Sequence, residues 1–313
     1  MDRRLALVLR FALIGAMAFL LWLFVRELDW HQLGVALRDA TWWPLVPAVA
    51  IAFGMLWCAA FGLRIMLAPH HVVSTPRLFR YTIVAYAASV IAPARAGELA
   101  RLWLLKQRDG VPIADSAAAV VAQKLVDGLT MILFVAPTPL LVPDLPVWVG
   151  RAIAIVAAVT LVLFVALYIA VGRQSGETRT TWMARFLAGM HVLRSPRRLW
   201  LAAGAQLLAW AIDLVMVSCV LHAVGIDLPV TAGLLILFTL NLTIMVPTPA
   251  NLGSLEVGVF AATRILGVDD ERALAFALLY HACLVVPILV AGLALELRLL
   301  LDPERWTGAS ASP

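Results

Sequence analysis

Two short segments decide the fold of this chain: Ala92-Pro93-Ala94-Arg95-Ala96-Gly97-Glu98 and Pro247-Thr248-Pro249-Ala250-Asn251-Leu252-Gly253-Ser254-Leu255-Glu256. Each places proline, glycine and a carboxylate in the middle of a long apolar region. In lipid, the backbone N–H and C=O groups that such a break frees have no water to bond, so a break is tolerated where it lines a cavity. We therefore interpret the two segments as parts of a single polar site.

The composition is that of a membrane protein. Of 313 residues, 63% are apolar and only 14% are charged, and the mean hydropathy is +0.95. Soluble domains are about half apolar and about a quarter charged. Several apolar runs are long enough to cross a bilayer, including Leu5 to Val25, which we expect to be a retained anchor because no small-residue cleavage site ends it. The sequence predicts an all-α, polytopic helix bundle in which residues 1–313 form a single transmembrane domain.

The order of elements around the two breaks is the same. Each copy has a short apolar helix, the break, a second short helix, a glycine turn and a long helix. The first copy is Leu78–Ala92, Gly97–Asp109, Gly110 and a helix capped by Asp115 or Ser116 that reaches Leu141; the second is Thr231–Val246, Leu252–Leu266, Gly267 and Glu271–Leu301. At 1.5 Å per residue the first short helix reaches only about 22 Å, so each short pair is predicted to be a re-entrant hairpin.

The residue register supports a repeat. Gly97 corresponds to Gly253 with an offset of 156 residues, and Lys124 corresponds to His281 with an offset of 157. Three full crossings separate the hairpins, so they enter from opposite faces as inverted repeats, a design of secondary transporters with substrate sites near the midplane. The predicted division is 1–77 for two N-terminal spans, 78–142 for repeat 1, 143–230 for linking spans with a basic cytoplasmic loop, 231–301 for repeat 2 and 302–313 for the tail.

Basic residues are distributed unevenly between the two sides. With the N-terminus inside, 18 Arg and Lys residues fall on the cytoplasmic side and five on the other, which predicts that both termini are cytoplasmic. We expect the location to be a bacterial cytoplasmic (inner) membrane. In the basic loop between Gly172 and Pro196, the spacing of Trp182, Phe186 and Met190 indicates an amphipathic interfacial helix or an ordered loop.

Polar residues at membrane depth are costly and usually mark a site. Helix N-termini inside the membrane, with Arg and Lys nearby, suit a phosphate group, and the acids suit an amine or hydroxyls on the same ligand. The alternative for Lys124 with Asp127, and for Glu98 with Arg101, is mutual neutralisation at i, i+3 spacing. Asn241 has the alternative role of satisfying broken backbone. The candidate substrate-binding residues are Arg95, Gly97, Glu98, Arg101, Lys124, Asp127, Asp213, Asn241, Asn251, Gly253, Glu256 and His281.

Catalytic and cofactor motifs are not found in the sequence. No zinc-protease, nucleophile-elbow, phosphate-loop or dinucleotide motif occurs, and Cys58, Cys219 and Cys283 lie singly in apolar runs. We expect neither catalytic residues nor a cofactor, metal or nucleic-acid partner, and we expect the protein not to be an enzyme.

The chain resembles the lysylphosphatidylglycerol synthetase transmembrane-region family, also called flippase-like, over nearly its whole length. The resemblance is carried by Pro93-Ala94-Arg95-Ala96-Gly97-Glu98 with Arg101, by Gln123-Lys124-Leu125-Val126-Asp127, and by Pro249-Ala250-Asn251-Leu252-Gly253 with Glu256 and Gly267. Where that family tends to show Glu-Arg ahead of the aspartate and Gly-Gly in the second motif, this chain has Gln123-Lys124 and Ala250-Asn251.

The resemblance implies lipid translocation and not lipid aminoacylation, because the sequence ends before any soluble transferase domain. The leading hypothesis is a translocator of a phospholipid or of a polyprenyl- or hopanoid-linked lipid, with a homodimer or a lipid-modifying enzyme as candidate partners. The alternatives are an ion-coupled transporter of a small anionic solute, a non-catalytic partner of a lipid-modifying enzyme or glycosyltransferase, and an intramembrane enzyme.

Overall fold

The fold is all-helical throughout the part of the chain that the computed structural model describes. That part comprises residues 30–68, 70–91, 96–142, 145–172, 182–246, 248 and 251–301. Its α-helices are α1 (Trp30–Arg38), α2 (Leu45–Leu67), α3 (Thr75–Ile91), α4 (Ala96–Asp109), α5 (Ile113–Val135), α6 (Thr138–Leu141), α7 (Val147–Gly172), α8 (Trp182–Gly189), α9 (Pro196–Ala223), α10 (Ala232–Ile244), α11 (Ser254–Ile265) and α12 (Asp270–Leu301). The predicted anchor Leu5–Val25, Arg95 and the tail lie outside the described residues.

Five stretches of the described chain are long and apolar enough to cross a membrane. They are α2, the joined Ile113–Leu141, α7, α9 and residues Asp270–Leu295 of α12. Only 6% of the most apolar window of α7 is buried inside the protein, so this helix presents its apolar side chains to the surroundings. The protein is therefore a multi-pass membrane protein.

Each short helical pair is closed by a glycine. A Cβ on Gly97, in the first turn of α4, would collide with the carbonyl oxygen of Ala85 and the hydroxyl of Ser89 on α3. A Cβ on Gly258, in α11, would lie 2.7 Å from the Cα of Leu240 on α10. In both pairs the two backbones thus approach as closely as only glycine allows.

In each predicted copy, the long helix contacts the first short helix of the other copy. Helix α2 packs along α9, the long helix α12 packs on α3, and the long helix α5 contacts α10. A shift of 156 residues places α2 at 201–223, inside α9. The repeat and its re-entrant hairpins stay predictions. The entry of the pairs from opposite membrane faces stays a prediction.

Two local expectations are corrected by the structure. Helix α5 begins at Ile113, with Pro112 at the N-cap and no side-chain cap, so neither Asp115 nor Ser116 caps it. Proline without an N–H suits the start of a helix, and Asp115 in the first turn instead contacts His71 Nε2 at 2.8 Å. The predicted long helix is also interrupted by a turn at Ala136 and Pro137, because proline cannot donate to the helical ladder.

The basic loop contains the short helix that its apolar spacing indicated. Helix α8 is followed by a 3-10 turn, Met190–Arg194, and Trp182 stacks on Phe186 with ring centroids 5.3 Å apart. Met190 is fully buried and Trp182 remains 54% exposed. The placement of this helix at a membrane surface stays a prediction.

Candidate substrate cavity

A cavity of about 360 Å³ with both polar and apolar lining residues lies between the two broken pairs and the long helices. Its walls come from α2, α3, α4, α5, α9, α10, α11 and α12, together with residues Thr248 and Asn251 of the second break. The side chains that face it combine charged, amide, hydroxyl and aromatic groups. Helix α3 packs on α12 and helix α10 contacts α5, so helices of both predicted copies border the cavity.

Most of the residues that the sequence singled out surround this cavity. Those that line it are Gly97, Glu98, Arg101, Lys124, Asp127, Asp213, Asn241, Asn251 and His281. Gly253 and Glu256 are buried behind the wall formed by His281 and the tip of the second break. Arg95 lies outside the described residues. Ligand binding by these side chains stays a prediction.

The cations of the cavity have no hydrogen-bond partners in the described part of the chain. Arg101 is 8% exposed, and its Nε is fully buried without an acceptor. Lys124 is exposed, and its described electrostatic neighbour is Asp127, one helical turn further along α5. A buried guanidinium without an acceptor is costly, so an acceptor from a ligand would be favourable here.

Two of the three carboxylates of the cavity, in contrast, have neutral partners. Asp127 Oδ1 accepts a hydrogen bond from Gln206 Nε2 at 2.6 Å, and Asp213 Oδ1 accepts one from the Tyr280 hydroxyl at 2.7 Å. Asp213 is 3% exposed and thus has a partner on a neighbouring helix. Neither Lys124 with Asp127 nor Glu98 with Arg101 closes to a salt bridge in the described chain. The two charges of each pair therefore interact without a direct contact, and Asp127 accepts its hydrogen bond from Gln206 on α9 instead.

The second break has a self-contained hydrogen-bond network at the start of α11. The N–H of Gly253 (φ 81) donates to Glu256 Oε2 at 2.7 Å, and Glu256 Oε1 lies 2.8 Å from His281 Nδ1. The carboxylate thereby satisfies a free N–H at the helix start, as in half of a capping box. This network fixes the tip of the second pair against α12.

Asn251 is the one described non-glycine residue with a positive φ, at 60. Asparagine tolerates the left-handed conformation better than most residues, which explains how it replaces glycine in this motif.

Asn241 donates from Nδ2 to the Leu237 carbonyl oxygen at 2.9 Å, so it bonds to its own helix and not to the broken backbone. Asn241 lines the cavity.

The polar and aromatic lining residues that sequence reasoning did not select include Tyr86, Gln206, Trp210 and Tyr280. Trp210 is 7% exposed, and its indole N–H has no partner in the described chain. Gln206 and Trp210 precede Asp213 by seven and three residues, which places all three on one helical face. This spacing is the feature of the sequence from which Gln206 and Trp210 could have been predicted as neighbours of Asp213. Tyr280 is adjacent to His281 and carried no signal of its own.

The described residues hold no group of three or more His, Cys, Asp and Glu side chains placed for a metal ion. The side chains that line the cavity offer hydrogen bonds and charge. The cations suit a multivalent anion, and the amides and hydroxyls suit neutral polar groups.

These features define a class: a multi-pass helical membrane protein with a cavity between two broken helical pairs that contains charged and polar side chains. The chain belongs to the family described as lysylphosphatidylglycerol synthase TM region, whose model matches residues 7–292. It is also similar to a UPF0104 membrane protein of Methanothermobacter thermautotrophicus, with 25% identity over 255 residues, covering 71% of this chain and 75% of the relative. The suspected family is thus confirmed.

Proposed function

We propose that this protein moves a lipid with a phosphate-bearing head group between the leaflets of a membrane. The head group passes through the cavity while its acyl or prenyl tails stay in the bilayer. A volume of about 360 Å³ accommodates a head group and not the tails as well. Membership of a family named for the membrane region of a lipid-modifying enzyme supports a lipid as the ligand.

The observation that carries the proposal is the buried Arg101, whose Nε has no acceptor in the described chain, whereas two of the three acids of the cavity have protein donors. Formal charge does not choose the ligand, because Glu98, Asp127 and Asp213 face the cavity along with Arg101 and Lys124. Asp127 and Asp213 have protein donors, whereas Arg101 has no acceptor in the described chain. A phosphate supplies the missing acceptors and the negative charge together.

The architecture proposed for transport is an inverted repeat of two re-entrant hairpins. The shared partner choice of the two copies and the glycine-closed pairs support it. The excess of basic residues on one side supports cytoplasmic termini, and we propose a bacterial cytoplasmic membrane as the location. A cavity between such repeats can open alternately to the two leaflets.

Leaflet exchange in reconstituted vesicles tests the proposal. Phospholipids labelled with a fluorophore on an acyl chain keep a native head group, and a membrane-impermeant reductant quenches the outer-leaflet label. Vesicles that contain the protein are expected to lose inner-leaflet fluorescence much faster than protein-free vesicles. Equal rates in the two preparations, across several phosphate-bearing lipids, would contradict the proposal.

An ion-coupled transporter of a small anionic solute is the second candidate, favoured by the same open cations. It predicts uptake of radiolabelled phosphate or a small organic anion into sealed vesicles without lipid exchange. A non-catalytic partner of a lipid-modifying enzyme or glycosyltransferase predicts neither activity from the isolated protein. The two assays on one preparation therefore separate the three readings.

A further inference from the structure

His281 connects the cavity to the start of α11. Its side chain lines the cavity, and its Nδ1 lies 2.8 Å from Glu256 Oε1, behind the cavity wall. The other carboxylate oxygen, Glu256 Oε2, accepts a hydrogen bond from the Gly253 N–H at 2.7 Å. Both oxygens of this buried carboxylate therefore have a partner in the protein.

These contacts determine which ring nitrogen of His281 takes up a proton. An ionised carboxylate accepts hydrogen bonds and cannot donate them, so a neutral imidazole beside Glu256 carries its hydrogen on Nδ1. The remaining nitrogen, Nε2, makes no hydrogen bond in the described chain and keeps accessible surface. A proton from the cavity therefore binds at Nε2.

Protonation of Nε2 changes what the cavity offers to a phosphate. With a hydrogen on Nδ1 alone, the His281–Glu256 pair carries one negative charge, and Nε2 presents a lone pair. The second proton makes the pair neutral and turns Nε2 into a donor. A phosphate binds the doubly protonated pair better, and by linkage a bound phosphate favours uptake of the proton.

The predicted repeat gives this histidine a counterpart in the first copy. It relates Lys124 to His281, and both side chains line the cavity. A lysine ordinarily keeps its charge at neutral pH, whereas an imidazole gains or loses its charge between about pH 5 and 8. The first copy therefore contributes a permanent cation and the second a cation that depends on the proton concentration.

Other titratable groups share the cavity with His281. Helices α1, α2, α3, α9 and α11 pack on α12, and of these α1 and α2 contribute no charged or titratable side chain to the lining in the described chain. Besides Glu256 behind the wall, the groups from α3, α4, α5, α9 and α12 are Tyr86, Glu98, Arg101, Lys124, Asp127, Asp213 and Tyr280.

Glu98 is the group in that set that competes most directly with His281 as a source of pH dependence. The two aspartates accept hydrogen bonds from protein donors, whereas Glu98 makes none in the described chain. A test of proton binding therefore has to separate His281 from Glu98.

We propose that the His281–Glu256 pair is a proton-binding site and that the protein moves its phosphate-bearing lipid together with a proton. The proton comes from water in the cavity, binds His281 Nε2 as the head group enters, and leaves with the head group on the other side. The proposal rests on the proposed function and names the coupling ion of the same site. Net lipid movement is then driven by a transmembrane pH gradient.

The test follows acyl-labelled phosphatidylglycerol in vesicles that contain the full chain, with and without a pH gradient. The phosphodiester of this lipid stays ionised under both conditions, so the ligand does not titrate. With the outside about two pH units more acidic, wild type is expected to enrich the label in the inner leaflet at least about threefold, because lipid and proton enter together. Protein-free vesicles with the same gradient correct for unaided movement, and an impermeant reductant reports the outer-leaflet label.

Matched variants assign the effect to the pair. His281→Asn keeps an N–H donor towards Glu256 and cannot titrate, so its label is expected to stay evenly distributed under the gradient. Glu256→Gln accepts from Gly253 and donates to Nδ1 of His281, so Nε2 keeps its hydrogen permanently and the enrichment is expected to be lost as well. His222→Asn, at an exposed histidine outside the cavity, and Glu98→Gln, at whatever rate it exchanges lipid, are expected to keep the enrichment.

The outcomes separate coupling from translocation. Exchange by wild type that leaves the label evenly distributed under the gradient overturns the coupling and leaves translocation standing. Enrichment that persists in His281→Asn, or that is lost only in Glu98→Gln, overturns the assignment to this pair. Absence of exchange at every pH, by wild type that still shows a cooperative unfolding transition, contradicts the proposed function and the coupling with it.

Discussion

The pairs α3–α4 and α10–α11 share a framework and differ in how their polar groups are used. Each pair is closed by a glycine, at Gly97 and Gly258, and each is followed by a long helix that packs on the other copy. The first copy brings Lys124 and the buried Arg101 to the cavity, and the Nε of Arg101 has no acceptor in the described chain. In the second copy the acid, Glu256, bonds to the Gly253 N–H and to His281, and so fixes the start of α11. The polar groups of the first copy are thus available to a charged ligand, whereas those of the second copy stabilise the fold.

This difference has a stability consequence, because an unpaired buried cation destabilises the protein that carries it. Residues that bind a ligand are commonly retained at the expense of stability. The first copy is therefore expected to gain stability when its cation is removed, and the second is expected to lose stability when its acid is removed. Mutations in equivalent places should move stability in opposite directions.

The largest effect is expected for Arg101→Met. Loss of the guanidinium removes the main phosphate contact, so leaflet exchange is expected to fall more than a hundredfold, corresponding to about 3 kcal/mol. The unfolding temperature in detergent is expected to rise, since an 8% exposed charge without a described acceptor has been replaced by an apolar chain. A variant that loses both transport and stability would show that Arg101 has a structural partner instead.

Glu256→Ala is expected to destabilise the second copy by about 2 kcal/mol. The substitution leaves the Gly253 N–H and the His281 imidazole without their 2.7 Å and 2.8 Å contacts in a buried setting. Thermal or denaturant unfolding in detergent measures the change. Glu98→Ala is the matched control, and its expected effect on stability is near zero, because Glu98 makes no hydrogen bond in the described chain. A reversed order of the two variants would contradict the division of roles.

Gly97→Ala and Gly258→Ala test what the two copies have in common. Each is expected to cost about 1.5 kcal/mol of stability, because an added methyl collides with the partner helix. Gly204→Ala on α9 is the control, as a Cβ there meets nothing within 4 Å, and it is expected to be neutral or stabilising. If only one of the two glycine variants is destabilised, the equivalence of the pairs fails.

The smallest effect is expected for Tyr280→Phe. It removes the 2.7 Å hydrogen bond to the buried Asp213 at an expected cost of about 1 kcal/mol. Unfolding measurements on Tyr86→Phe provide the comparison, because the Tyr86 hydroxyl makes no hydrogen bond in the described chain. Equal stability of the two variants would mean that Asp213 does not depend on Tyr280.

The pattern of apolar runs and breaks was enough to predict the long helices and the short helices of the two pairs, because hydrophobic length is a property of sequence. The pattern did not predict the separate short helix α6, and it left open whether α8 is a helix or a loop. It also placed Glu98, Lys124 and Asp213 among the residues of interest, since charge at membrane depth is rare. The partners of those charges could not be predicted. Gln206 and Tyr280 come from distant helices, and only tertiary packing brings them to Asp127 and Asp213.

The residues at which individual helices begin and end could not be predicted from the sequence either. The start of α5 at Ile113 and the turn at Pro137 depend on which of several plausible residues ends the helix. In the sequence, Asn251 only differs from the glycine that the family motif usually has. The structure explains why asparagine is accepted there, because this residue adopts a left-handed φ of 60.

The central claim is that the open cations of the cavity let a phosphate head group cross the membrane. The most direct measurement is the rate of leaflet exchange of acyl-labelled phosphatidylglycerol by Lys124→Met and by Lys106→Met, reconstituted at equal density. Lys124 lines the cavity, whereas Lys106 is an exposed cation outside it, so both variants lose one positive charge. The account predicts at least a tenfold slower rate for Lys124→Met and a wild-type rate for Lys106→Met. Equal rates for the two variants would contradict it.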